Sequence, residues 1–260
     1  MFRSLYVAAT GMVAQETRLD AISNNLANAN TAGFKRQDAE FEDLIYQQIR
    51  TPGRLPDGGM GPTGVQIGLG SRVVATPRYF SQGNIEQTGN PLDIAVEGKG
   101  FLSVTRPDGT VAYTRAGQLK LDAQGRITNT SGMPLEPPIN VPIDATDITI
   151  GADGTISVNQ PGQPAPVELG QLQLTMFANP NGLKPVGHNM YEATASSGDP
   201  QIGLPATDGR GSILQNAIEG SNVEVVTEMI DMIRVQRAYE MNSKVITTAD
   251  EMLRKASTLK

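Results

Sequence analysis

Residues 221–260 read SNVEVVTEMI DMIRVQRAYE MNSKVITTAD EMLRKASTLK, a stretch with neither glycine nor proline. Nothing in it breaks a helix. Ser221 or Asn222 is suited to cap the start, because a short polar side chain accepts from the free N–H groups of a first turn. Val225, Val226, Met229, Ile230 and Ile233 recur at helical intervals, and Ala238, Tyr239, Met241, Val245, Ile246, Ala249, Met252 and Leu253 continue a broader stripe. Apolar residues at that period line one side of a helix. A helix of about 36 residues spans roughly 54 Å, longer than a domain of this size needs.

Working outward, the other end of the chain has the same character. Of 28 glycines and 17 prolines, residues 1–50 hold only Gly11 and Gly33. Leu5, Ala8, Met12, Leu19, Ile22 and Leu26 alternate at three- and four-residue steps, with Gln15 in the one gap. This is the pattern of a helix that packs on other helices. It predicts a helix from about Ser4 to Asn28, with Gly33 as its stop in the left-handed conformation. Two readings of the terminal helices follow. They lie on the rest of the chain as ordinary helices, or they mate with each other and with other copies. Seams of this length favour the second, because one β domain cannot cover them. The subunit-contact set expected on the seams is Leu5, Ala8, Met12, Leu19, Ile22, Asn25, Leu26, Val226, Met229, Ile230, Ile233, Gln236, Tyr239, Ile246 and Leu253. Arg3 followed by the run Leu5–Ala14 faintly mimics a secretion signal, but Thr10 and Gly11 interrupt it and the helical pattern continues beyond any cleavage point.

All other glycines and prolines fall in residues 51–220, where they punctuate turns. Short alternating runs predict strands at 92–96, 101–104, 111–114, 118–121, 148–150, 155–158 and 171–176. Pro107-Asp-Gly109, Asp122-Ala-Gln-Gly125 and Ala152-Asp-Gly154 are the reversals between them. The fold class is therefore α+β. Long N- and C-terminal helices form a coiled-coil-like inner domain, and a central all-β, hairpin-rich barrel or sandwich forms an outer one. The expected segments are an N-terminal helical segment over 1–50, an extended Pro/Gly-rich arm over 51–70, the all-β domain over 71–220, and the C-terminal helix over 221–260. Residues 51–64, most of the arm, have almost no apolar content. Pro52, Pro56 and Pro62 stiffen it, so it is expected to order only against neighbouring subunits.

A search for chemistry finds none. The chain has no cysteine, which excludes disulfides and thiolate sites, and one histidine, His188, in a loop-like setting with no fixed nucleophile or carboxylate beside it. Gly64, Gly68 and Gly70 do not form a phosphate loop. Asp144 and Asp147 are too few for a calcium loop. Asn129-Thr-Ser matches a glycosylation triplet that arises often by chance. Met229, Met232, Met241 and Met252 read as helix packing. A net charge of −6 opposes binding to nucleic acid or to an anionic membrane surface, and no run is apolar enough to span a bilayer. The expectation is a protein that is not an enzyme, with no catalytic, cofactor or metal residue.

Ser4-Leu-Tyr-Val-Ala-Ala-Thr-Gly-Met12, Ile22-Ser-Asn-Asn-Leu-Ala-Asn28 and Thr31-Ala-Gly-Phe-Lys-Arg36 resemble the opening of the rod and hook family of the bacterial flagellar axis. Asn222-Val-Glu-Val-Val-Thr-Glu-Met-Ile230 and Ile233-Arg-Val-Gln-Arg-Ala-Tyr-Glu240 are similar to its closing helix. Gln82-Gly-Asn-Ile85, Asp93-Ile-Ala-Val-Glu-Gly-Lys-Gly-Phe101 and Tyr113-Thr-Arg-Ala-Gly117 are similar to its β domain. Within the family, the length, the stretch Tyr46–Gly53, and Gly64–Gly70 leading into Arg72–Thr76 are similar to the members that build the distal rod. Hook and proximal rod members are the alternative.

The resemblance implies a structural subunit that polymerises helically into a hollow, rigid shaft. That shaft would transmit torque from motor to hook, and export substrates would pass through it. The implied partners are further copies of the chain, other rod proteins, the hook protein, the L- and P-ring proteins as a bushing, and the flagellar type III export apparatus. The implied location is the basal body, crossing the periplasm from peptidoglycan to outer membrane, reached without a cleaved signal peptide. A wall-remodelling enzyme would need a paired-carboxylate cleft or metal triad that the sequence does not supply. A secreted adhesin would need a cleaved signal.

Overall fold

The computed structural model describes residues 2–50, 53–54, 60–61, 63–161 and 165–258. Helix α1 spans Phe2–Ala27 and helix α2 spans Val225–Thr258; apart from one short 3-10 turn at Pro180–Gly182, the regular structure between them is β. The chain divides into two compact units. One contains residues 1–26, 37–77 and 224–260, and the other contains 27–36 and 78–223.

The first unit holds both helices and a two-stranded antiparallel ribbon. Glu40–Asp43 pairs with Ser71–Ala75, Tyr46–Arg50 with Val65–Gly68, and Gly53–Arg54 with Met60–Gly61. This departs from a helical segment running to residue 50, while the described parts of the expected arm over 51–70 include the paired strands Gly53–Arg54, Met60–Gly61 and Val65–Gly68. Phe41, Leu44, Ile45 and Ile49 fall at helical spacing, but the β-branched Val65, Ile67, Val73 and Val74 downstream supply a strand partner, and that pairing prevails. Pro52, Pro56 and Pro62 lie outside the described residues.

The second unit is all β. Its largest sheet runs Lys184–Gly187, Met190–Glu192, Val111–Thr114, Phe101–Thr105, Leu174–Met176, Gln201–Gly203, with Leu135–Glu136 also pairing Phe101–Thr105 and every contact antiparallel. A second sheet joins Asp147–Ile150, Thr155–Asn159 and Val167–Gln171. Leu102, Val104, Ile156 and Leu174 of these strands, together with Ile94 and Leu172, form one core. Phe101, Tyr113, Phe177, Leu183 and Tyr191 form a separate, largely aromatic cluster. The expected reversals are present, and carboxylates hold them. At two of them, Asp108 Oδ1 accepts from Thr110 N–H (2.9 Å) and Asp153 Oδ1 from Thr155 N–H (3.1 Å). Such Asx bonds mimic a backbone turn.

His188 and Asn189, with φ of 52° and 56°, form the two-residue link between Lys184–Gly187 and Met190–Glu192. Positive φ at both central positions is the geometry that matches hairpin twist, so His188 serves as a turn residue. Asn129 is buried, and its Oδ1 accepts from the N–H groups of Ser131 and Met133.

Candidate assembly surfaces

Within the first unit, α1 and α2 run antiparallel, and two polar contacts set their register. Asn25 Nδ2 donates to Glu228 Oε2 at 3.1 Å, both side chains fully buried. Two heptads back along α1, Gly11 sits so close to α2 that an added Cβ would lie 3.0 Å from Asn242 Nδ2. Asn25 also fixes the returning chain, donating to Gln37 O (2.7 Å) and accepting from Gln37 N–H (2.9 Å). Both of its side-chain polar atoms are thereby bonded, as burial demands.

The expected contact set does not lie on one face. Ala8, Ile22 and Asn25 are buried, and Leu5, Met12, Leu19, Leu26, Ile246 and Leu253 are half-buried. Val226, Met229, Ile230, Ile233, Gln236 and Tyr239 are exposed, with Val226 at 64% and Ile233 at 51%. The face of α2 that packs carries Glu228, Val235, Asn242 and Ala249, a repeat of seven with two polar members. Small residues oppose it on α1: Ala8, Gly11, Ala14 and Ala21. Small side chains let helix axes approach, so shape and polar pairing select this face over the more apolar one. The more apolar face, extended by Met241, Val245 and Met252, is left open.

α1 ends at Ala27, so Gly33 is not the residue that stops it. The run Asn28-Ala-Asn-Thr31 turns the chain earlier, with Thr31 N–H donating to Asn28 O at 3.1 Å. The Thr31 hydroxyl also reaches Asn28 Oδ1 at 3.3 Å, and Asn and Thr side chains that bond locally compete with helical bonding. Gly33 does have φ of 70°, and its role lies in the β unit. Its N–H donates to Glu219 O (2.7 Å), and an added Cβ would lie 2.6 Å from Ala116 N.

Beside it is a buried charge cluster that the sequence reading did not single out. Lys35 Nζ donates to Glu219 Oε1 (2.5 Å) and to Ser81 O (2.7 Å), and Arg115 Nε lies 2.9 Å from Glu219 Oε2. Gly83 N–H also donates to Glu219 Oε1, and Arg115 reaches the carbonyls of Gly98 and Gly100. Burial pushes the Lys35 ammonium below its ordinary value, an effect opposed by the Glu219 carboxylate. Asn222, with Ser221 a candidate helix cap, lies ahead of the first residue of α2, Val225, and belongs instead to this junction. It accepts from Arg36 N–H and donates to Tyr79 O and Ser81 O. The cluster therefore clamps residues 27–36 onto strands far away in sequence. Its members are scattered along the chain, so no local motif announces them.

Among the described residues no group of three His, Cys, Asp or Glu side chains is placed to hold a metal, and no helix is long and apolar enough to cross a membrane. Comparison with known proteins gives the family. Residues 5–35 match the family model described as flagella basal body rod protein, 95–158 the flagellar hook protein FlgE/F/G D1 domain, and 214–259 the flagellar basal body rod FlgEFG protein C-terminal region. These models define a class, the rod and hook proteins of the bacterial flagellum. The chain is 47% identical over 260 residues to the flagellar basal-body rod protein FlgG of Buchnera aphidicola subsp. Acyrthosiphon pisum, covering all of both chains. It is 46% identical to that of Caulobacter vibrioides, over 99% of each, and 36% identical to that of Bacillus subtilis, over the full length of both. The chain belongs to the FlgG family of flagellar basal-body rod proteins.

Proposed function

We propose that the chain is a structural subunit of the flagellar distal rod. It polymerises helically into a hollow, rigid shaft that carries torque from motor to hook and through which export substrates pass. The observation that carries this reading is the open apolar row on α2. Val226, Met229, Ile230 and Ile233 are each about half exposed or more, on a helix whose other face is already packed. An exposed apolar stripe of this length marks a protein–protein contact. A contact between unlike faces of identical subunits, repeated, builds an open helical filament. The role is structural rather than catalytic.

On this reading the neighbours are further copies of the chain, other rod proteins, the hook protein, ring proteins acting as a bushing, and the export apparatus. The subunit works in the periplasm and arrives without a cleaved signal peptide. Pro52, Pro56 and Pro62 restrict the backbone of segment 51–70, which orders against neighbouring subunits on this reading. Deleting residues 54–63 then leaves polymerisation intact and makes the shaft bendable. The test of the whole reading is electron microscopy of the concentrated, purified full-length chain. Straight tubes are expected. A protein that stays dispersed at every concentration, without filaments in the presence of other rod proteins, would overturn it.

A further inference from the structure

Two features of the β unit are complementary and do not meet within one chain. The first is a knob. Ile143 is 95% exposed, more than any other large apolar side chain among the described residues. It is nevertheless held in place. Ala145 N–H donates to Pro142 O at 3.1 Å, which sets Ile143 and Asp144 at the corners of a turn. Val141 before the turn is buried, its N–H bonded to Gly125 O at 2.7 Å, and Ala145 after it packs on the core.

The second feature is a hole. A cavity of about 380 Å³ opens among Phe80, Phe101, Met176, Phe177 and Ala178, with Lys99 on its lining. Its aromatic walls brace one another edge to face, Phe80–Phe101 at 5.4 Å and Phe101–Phe177 at 5.9 Å between centroids. Asp144 and Lys99 are both exposed, and neither joins an ion pair of the described residues.

We propose that the Pro142–Ala145 turn of one copy docks into the aromatic cavity of the next, with Ile143 in the cavity and Asp144 against Lys99. The inference rests on the reading that the chain polymerises, and it assigns one of the contacts. The occupant is a second copy because the cavity's apolar walls and cationic edge match an isoleucine followed by an aspartate, and this chain presents that pair on a turn. A rigid knob loses little entropy on docking, and opposite charges fix its orientation. A knob that fills a pocket elsewhere on an identical unit makes a heterologous contact, which propagates and does not close.

The chain lacks cysteine, so engineered thiols report the contact directly. Ile143→Cys and Ala178→Cys both alter exposed positions and leave the fold undisturbed. The two full-length single variants are mixed, concentrated and oxidised. The expected result is mixed dimers, with the Ile143→Cys variant disulfide-linked to the Ala178→Cys variant, in large excess over either homodimer and appearing with the polymer. Lys99→Glu should raise the concentration needed for assembly about tenfold, and Lys99→Glu with Asp144→Lys should restore it. If tubes form without the mixed cross-link, and charge reversal leaves assembly unchanged, this contact is refuted while polymerisation stands. If the unaltered chain forms no polymer and the variants do not cross-link, both readings fall.

Discussion

The Lys35–Glu219–Arg115 cluster makes an asymmetric prediction. Glu219 is the one carboxylate between two buried cations, 2.5 Å from Lys35 Nζ and 2.9 Å from Arg115 Nε. Glu219→Gln removes the anion and leaves both cations buried without a counter-charge. Breaking a buried pair in this way costs about 3–5 kcal/mol. Lys35→Met removes a buried ammonium whose desolvation already weighs against it, and leaves Glu219 with Arg115 and the Gly83 N–H. Its cost is about 1–2 kcal/mol, the scale of a lost charge-assisted hydrogen bond. The double variant should cost less than the sum, because the two residues act on each other. Urea unfolding of the full-length chain, followed by circular dichroism, reads these values. A denaturant slope of about 1–3 kcal/mol/M puts the Glu219→Gln midpoint roughly 1–5 M lower. Additive costs, or a Lys35→Met loss equal to that of Glu219→Gln, would refute the picture of one anion serving two cations.

Gly33→Val places a Cβ at φ of 70° and within 2.6–2.7 Å of the Arg115–Ala116 backbone. The loss should be about 2 kcal/mol or more, and an unchanged melting temperature would contradict it. Ile233→Asp changes an exposed side chain, so monomer stability should move by no more than about 0.5 kcal/mol while sedimentation shows polymer formation lost. Bonds from the Thr155 hydroxyl and N–H hold the Asp153 carboxyl below its ordinary 3.8. A folded pKa below the unfolded one contributes stability above about pH 4 that is lost as pH falls through the folded value. Asp153→Asn should therefore flatten the acid end of the stability profile, and a profile parallel to the unaltered protein would count against that bond.

Periodicity gave away the helices and strands because a buried face repeats with the geometry of its element. The run at Asp147–Ile150 and the turns at Gly109, Gly125 and Gly154 could be placed to within a residue or two for that reason. The same logic misjudged the helix pair. Val226, Ile230 and Ile233 are apolar members of α2 that stay exposed, while Glu228, Val235, Asn242 and Ala249 face inward. The signal was a repeat of seven, masked because two of its members are polar. The Glu40–Ala75 ribbon was missed because strand pairing is non-local, so the partner residues must be found before the pattern has meaning. Lys35, Arg115 and Glu219 could not be grouped from spacing, since only the folded chain makes them neighbours.

The two units also differ in what their interiors are made of. The helical unit buries mostly alanine along α1 and α2 — Ala8, Ala14, Ala21 and Ala249, beside Ile22 and Val235 — whereas the β unit buries Ile94, Leu102, Leu119, Ile127, Ile156 and Leu174. Alanine removes little area from water, so each such contact stabilises far less than a buried leucine or isoleucine. Amide protons of the two helices should therefore exchange with solvent through local openings, long before those of the Phe101–Thr105 and Leu174–Met176 strands, which wait for global unfolding. On this expectation α1 and α2 open more readily than the β unit. Burying the open face of α2 against neighbours would slow their exchange toward that of the strands.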